Sequence, residues 1–224
     1  MVSENHTTTF LLFITTFLFI FRSISAVKFP PRPNTATTND LDFIRTSCNA
    51  TLYPDVCFTS LAGYASAVQD SPARLAKLAI GVSLSQAKST ATFLSKLSRS
   101  AAVTAVASDG HQTASAAIRD CVSNVEDAVD EMRGSLRQLR DMNGGGVAAA
   151  RRSVETFRFQ MSNVQTWMSA ALTDEDTCTD GFEDMEEVLG GVIKRSVCDR
   201  VDEVKRLTSN ALALVNTYAN NGTP

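Results

Sequence analysis

Between Ser169 and Met185 the sequence reads SAALTDEDTCTDGFEDM, which sets Asp174, Glu175, Asp176, Asp180, Glu183 and Asp184 around Cys178 in a chain whose net charge is only −3. Carboxylates this close together could hold a metal ion, do acid–base chemistry in pairs, or mark a junction between two helices held by a disulfide. The first reading fails on spacing, because a calcium loop needs oxygen ligands at D-x-[DN]-x-[DN]-G-x5-E and this stretch does not supply them. The third is explained without any ligand, since acids at a helix start are favoured by the helix dipole. We therefore expect Ser169 to Leu172 to close one helix, TDEDT to turn the chain, and Asp180, Glu183 and Asp184 to lie at the start of the next.

The other reactive residues form no site. Beyond His6, in the extreme N-terminal segment, the chain has one histidine, His111, within SDGHQT. A serine triad would have to use it as its base, and a loop position facing water is the expectation. No GxSxG elbow, GxxxxGK[ST] loop, GxGxxG fingerprint or HExxH pair occurs. The five cysteines, Cys48, Cys57, Cys121, Cys178 and Cys198, contain no CxxC pair, so a tetrahedral zinc site lacks ligands. No catalytic residue, metal or cofactor is expected. Basic residues are dispersed, which argues against a nucleic-acid partner.

The elements that must carry these residues are helices. FLLFITTFLFIF, from Phe10 to Phe21, is an apolar run too short for the roughly 20 residues of a membrane span. Small residues follow in RSISA, so residues 1–26 are expected to be a secretory signal peptide, although no Lys or Arg precedes the apolar run. Residues 27–39, rich in Pro and Thr, read as a linker, and residues 40–220 as one domain with no membrane contact after cleavage. An oxidising route favours disulfides. The turn at Tyr53-Pro54 suggests pairing Cys48 with Cys57, while two of the other three cysteines would pair and one would remain over. Asn49-Ala50-Thr51 and Asn221-Gly222-Thr223 match the N-glycosylation pattern.

Periodicity then gives four long helices. The first opens at Pro72 with Ser71 as its N-cap and carries Leu75, Leu78, Val82, Phe93 and Leu97. The second, from about Thr113 to Met142, carries Ile118, Cys121, Val125, Ala128, Met132, Leu136 and Leu139, and stops at the NGGG of Asn143 to Gly146. The third, from about Val147 to Leu172, carries Phe157, Met161, Val164, Met168 and Ala171. The fourth, from about Thr179 to Tyr218, carries Phe182, Met185, Leu189, Val192, Val197, Val201, Val204, Leu207, Ala211 and Val215, with Gly190 and Gly191 as a bend. The fold class expected is all-α: an up-down-up-down four-helix bundle preceded by a helical hairpin.

CNATLYPDVCFTSL, AAIRDCVSNVEDAVDEM, MSNVQTWMSAALTDEDTCTDGF and LTSNALALVN occur in that order. Together they resemble the plant invertase and pectin methylesterase inhibitors from about Asp40 to Tyr218. The resemblance implies bridges Cys48–Cys57 and Cys121–Cys178, the second tying helix two to the start of helix four. It leaves Cys198 as a free thiol, expected buried and inert. It also implies a secreted protein of the plant apoplast that catalyses nothing and blocks the active-site cleft of a carbohydrate-active enzyme, as a monomer in a 1:1 complex. In the invertase inhibitors a Pro-Lys-Phe motif enters the last helices; here that region is TDEDTCTDGFEDMEEVLGGVIKRS. Its absence favours pectin methylesterase as partner over acid invertase, with a helical interaction protein that has lost inhibition as a further alternative. Arg119, Asp120, Asn124 and Glu126 are the candidate interface residues. The segment from Arg133 to Phe159 looks long for the family, so that helices two and three or their connection would be extended.

Overall fold

The computed structural model describes residues 38–104, 109–143, 154–183 and 187–221, all within the compact unit Ala36–Pro224. The expected signal peptide and nearly all of the linker lie outside these residues. A short pair, α1 (Thr38–Cys48) and α2 (Pro54–Leu61), is followed by a 3-10 turn (Ala62–Tyr64) and one turn of helix, α3 (Ala65–Val68). Four long helices come next: α4 (Pro72–Thr104), α5 (Asp109–Asn143), α6 (Val154–Asp180) and α7 (Glu187–Asn221).

Local chemistry sets several of these boundaries. Pro54 starts α2, where its missing N–H would have had no helical partner. Gln69 and Asp70 adopt positive φ of 48° and 54° and end α3. Ser71 then caps α4, its Oγ accepting from Arg74 N at 3.4 Å.

The directions of the long helices follow from which ends share a core. One apolar cluster joins the start of α4 (Leu75–Leu84) to the end of α5 (Ala128–Met142), the start of α6 (Phe157–Ala171) and the end of α7 (Val204–Val215), together with α1 to α3. A smaller one joins Leu94, Ile118, Cys121, Val125, Cys178, Phe182, Val197 and Val201 at the other end. The helices therefore alternate up and down, and the neighbours are α4·α5, α5·α6, α6·α7 and α7·α4, a closed square.

Several expectations are corrected in detail. On α4 the buried face is Leu75, Ala76, Ala79, Ile80, Ser83, Leu84, Ala87, Thr90 and Leu94. Leu78, Val82, Phe93 and Leu97 are only half-buried at its edges. Small residues fill the seam because they let α4 approach its neighbours closely. Helix α5 begins at Asp109, so that His111 stands in its first turn rather than in a loop. Val192 is 83% exposed, off the apolar seam of α7, and α7 opens at Glu187 rather than near Thr179, so Asp180 ends α6 instead of starting α7.

The largest correction concerns TDEDT, which does not turn the chain: α6 runs unbroken to Asp180. No Gly or Pro interrupts it before Gly181, and the hydroxyls of Thr173 and Thr177 donate to carbonyls four residues back at 3.1 and 2.8 Å. The apolar stripe simply continues in steps of three and four through Ala171, Glu175, Cys178 and Phe182, all buried.

Candidate functional site

The four residues proposed for an interface all lie on α5, but the helix divides them. At about 100° per residue, Arg119 and Glu126 fall within about 20° of each other on one flank. Asp120 and Asn124 fall within about 40° of each other, more than roughly 100° round the axis. Arg119, Asp120 and Glu126 are exposed and Asn124 is half-buried. Arg119 Nη1 donates to Ser115 Oγ at 2.8 Å, which holds the guanidinium back against its own helix.

Of the four, only Glu126 lines a groove, one of about 500 Å³ between α4 and α5, with Lys88, Ser95, Asp130 and Arg133 on its walls; Asp130 and Arg133 form an ion pair across one helical turn. A second groove, of about 470 Å³, lies between α5 and α6 and is lined by Asp127, Glu131, Arg137, Trp167 and Asp174 among others. The indole of Trp167 lies against Gly134, where a Cβ would come within 3.4 Å of the ring, so that the absence of a side chain lets it pack. Glu131 and Asp174 meet there across the two helices. Burial above all, then the neighbouring Asp174 carboxylate and its hydrogen bond, and Asp127, push Glu131 up to about 7. Asp174 is also raised, chiefly by burial.

A third groove, of about 730 Å³, runs between the N-terminal hairpin and the α4–α7 face, with Val56, Tyr64, Leu78, Val82, Arg206 and Leu207 among its walls. The hairpin is fastened beside it. Asn210 of α7 donates from Nδ2 to Tyr53 O at 2.9 Å and accepts from Tyr53 N at 3.1 Å, satisfying both backbone groups of the turn with one side chain. Arg206 sits 5.9 Å from the centre of the Tyr53 ring.

At the far end the cysteines define a corner. Cys121 of α5 is bonded to Cys178, two residues before the end of α6, with Cα atoms 4.2 Å apart. The bridge thus joins the second and third long helices, not the second and fourth, because α6 extends through Cys178. Cys48 at the end of α1 is bonded to Cys57 in α2, with a Cα separation of 5.5 Å. Cys198 is free and half-buried, packed at the edge of the smaller core rather than within it. Burial first, and then Asp202, raise its thiol pKa, which keeps the reactive thiolate scarce.

The acids of TDEDT are divided by the helix. Asp176 turns outward and pairs with Lys205 at 2.7 Å, and Lys205 also reaches Asp202 at 3.5 Å. Burial of the Lys205 ammonium works against its charge, but the two aspartates outweigh this and hold its pKa above the usual lysine value. Glu175 turns inward and is wholly buried. Thr208 Oγ1 donates to its Oε1 at 2.9 Å, while Oε2 has no protein partner. Desolvation pushes Glu175 up to about 8, against the lowering effect of the Thr208 hydrogen bond. Its position was signalled in the sequence, because it falls on the extended α6 stripe; Asn210 and Trp167 gave no such signal.

No group of three or more His, Cys, Asp or Glu among the described residues could hold a metal ion, and no described helix is long and apolar enough to cross a membrane. Asn49 is exposed within its sequon, and Asn221 is the last residue of α7, with Thr223 outside the described residues.

The described residues define a closed four-helix bundle preceded by a helical hairpin and tied by two disulfides. The model of the plant invertase/pectin methylesterase inhibitor family matches residues 42–214, and the chain belongs to that family. It is 38% identical over 210 residues to pectinesterase inhibitor 11 of Arabidopsis thaliana, covering 93% of this chain and 96% of that protein. It is 42% identical over 177 residues to a 21 kDa protein of Daucus carota, covering 79% and 83%. Its fold is similar to that of a mutant pectin methylesterase inhibitor from Arabidopsis, with a TM-score of 0.55 at 21% identity over 77% of this chain and 95% of that one.

Proposed function

We propose that the chain is a secreted inhibitor that binds pectin methylesterase and covers its active-site cleft, as a monomer in a 1:1 complex in the extracellular space. The observation that carries this reading is end-to-end similarity to a protein named as a pectinesterase inhibitor. Two features support it. A bundle closed on four sides and bridged at both ends loses little freedom on binding, so more of its contact energy appears as affinity. The Pro-Lys-Phe motif of the invertase inhibitors does not occur in residues 173–196, the region where they carry it.

The test is a titration of the purified mature protein against a plant pectin methylesterase and an acid invertase in parallel. Esterase activity should fall linearly to an equivalence point near one inhibitor per enzyme, with invertase unchanged. Inhibition of invertase alone would move the target, and inhibition of neither at micromolar protein would reject the reading in favour of a non-inhibitory bundle. The two flanks of α5 can then be separated. If the α4-side flank makes the contact, Arg119→Glu with Glu126→Lys should weaken inhibition at least tenfold while Asp120→Lys with Asn124→Lys leaves it within about twofold. The reverse pattern would assign the contact to the α6-side flank.

A further inference from the structure

The fold separates the two halves of the sequon at the hairpin. The Asn49 and Ala50 side chains are exposed, whereas Thr51 is only 8% exposed and its Oγ1 donates to Cys48 O at 2.8 Å. The backbone around it is equally committed: Asn49 N donates to Arg45 O at 3.1 Å, and Thr51 N to Cys48 O at 3.0 Å. The segment is pinned on both sides. Cys48, directly before Asn49, is bonded to the buried Cys57, and Tyr53, two residues after Thr51, is held through both backbone groups by Asn210. N-glycosylation requires the Asn side chain and the hydroxyl two residues on to be presented together. In the folded hairpin one points to solvent and the other is spent on a carbonyl.

We propose that Asn49 is a glycan acceptor that is open only until the Cys48–Cys57 hairpin closes. The donor would be an oligosaccharide linked to a lipid diphosphate. Asn49 Nδ2 attacks the anomeric carbon, a C–N bond forms, the C–O bond to the diphosphate breaks with its electron pair leaving on the lipid diphosphate, and the amide loses one proton. The competing step is thiol–disulfide exchange with an oxidised dithiol carrier, which takes two electrons and two protons from Cys48 and Cys57. Because Asn49 itself faces water, a glycan attached early is accommodated by the finished fold, three residues from the exposed Leu52. The two orders of events therefore yield two stable forms, one glycosylated and one bare. The proposal assumes the secretory route given above but does not depend on which enzyme is inhibited.

The test uses the full-length chain made without glycosylation in a bacterium, in an N5Q/N221Q background so that Asn49 alone reports. Each sample is incubated with detergent-solubilised oligosaccharyltransferase and a lipid-linked oligosaccharide, and transfer is read by peptide mass. The oxidised chain should accept glycan at less than one-tenth the rate of the reduced chain. C48S/C57S should accept at the reduced rate without reductant, and T51A should accept none in either state. C121S/C178S, which lacks only the remote bridge, should stay as closed as the oxidised parent. Equal rates for oxidised and reduced parent, no transfer to the reduced chain, or opening of the site by C121S/C178S to the level of C48S/C57S would each overturn the proposal. None of these readings depends on cellular targeting, so a failure here is distinct from a failure of the secretory or inhibitory reading.

Discussion

At the hairpin end, α1 to α3 and parts of all four long helices share one large apolar cluster, and the disulfide there spans nine positions. At the opposite end a small cluster around Phe182, Val197 and Val201 is joined by a disulfide spanning 57 positions, with the buried Glu175 one helical turn away. The contrast teaches where each kind of force matters. A large core stabilises by removing apolar surface from water and tolerates a short, local staple. A small core beside a desolvated carboxyl depends more heavily on a bridge that closes a long loop. The hairpin end is held mainly by burial and the corner mainly by connectivity.

Removing each bridge tests this division most directly. On the chain-entropy model the 57-position loop contributes about 4 kcal/mol and the nine-position loop about 3 kcal/mol. C121S/C178S should therefore lower the unfolding free energy more than C48S/C57S, measured by urea denaturation at pH 6. Hydrogen exchange should sharpen the contrast: C121S/C178S is expected to expose amides around Phe182 and Val197 while leaving Met132 and Met161 protected. Uniform loss of protection through both clusters would mean that the two ends are one cooperative unit.

The next effect is the pH dependence conferred by Glu175. Its pKa lies near 8 in the fold, against an ordinary value of 4.5. Between those values the folded chain binds more protons than the unfolded one, so stability is full below about pH 4.5 and falls as pH rises towards 8. The groups facing it do not reverse this sign. Asp174 and Asp176 on its own helix raise its pKa, and Lys205 from α7 lowers it by less than burial raises it. The Glu131–Asp174 pair, held up in the same direction, adds to the trend. Glu175→Gln should flatten the pH profile and stabilise the protein at pH 7.5 by a few kcal/mol, on the order of 2–4 after relaxation, with little change at pH 4.5. Equal melting temperatures for parent and variant at pH 7.5 would show that Glu175 ionises without cost. In an acidic wall Glu175 is neutral, so the corner is at its firmest where the inhibitor is proposed to act.

Glu175 also shows what could be read from sequence and what could not. The α5 and α6 stripes were legible because apolar residues recur there in steps of three and four, and that pattern alone is enough to orient a helix. The same rule applied one turn further would have carried α6 through Glu175 and Cys178. Six acids in one stretch point instead to a solvent-exposed turn. Composition suggested water, whereas the absence of any helix breaker before Gly181 kept the backbone helical. The seam of α4 differs from its apolar pattern for the complementary reason: large apolar residues draw the stripe towards Phe93 and Leu97, while Ala76, Ala87 and Ser83 do the packing. Contacts between elements distant in sequence, such as Asn210 with Tyr53 or Trp167 against Gly134, leave no local periodicity. Residue type alone does not fix a helix face, and Arg119, Asp120, Asn124 and Glu126 accordingly fall on two flanks of α5.

The smallest effect expected is at Asn210, and it addresses the hairpin side of the comparison. Asn210 is 2% exposed and serves both Tyr53 backbone groups, so that truncation leaves a donor and an acceptor without partners at a turn. Water can reach Tyr53, which is 36% exposed, and will replace part of what is lost. Asn210→Ala should therefore cost about 1–2 kcal/mol, below the cost of losing either bridge. The loss should be local, with faster exchange at the Tyr53 amide and no change in the urea m-value, because the apolar cluster beneath α1 and α2 remains buried. Asn210→Asp supplies the sharper comparison. Ionised, it keeps the acceptor for Tyr53 N but loses the donor to Tyr53 O and places a charge at a position 2% exposed, so at pH 7 it should destabilise more than Asn210→Ala, and less as the pH falls and the carboxyl is protonated. If Asn210→Ala instead lowered the m-value or destabilised the chain as much as C48S/C57S, the hairpin would be held by this clamp rather than by its core, and the distinction between the two ends would fail.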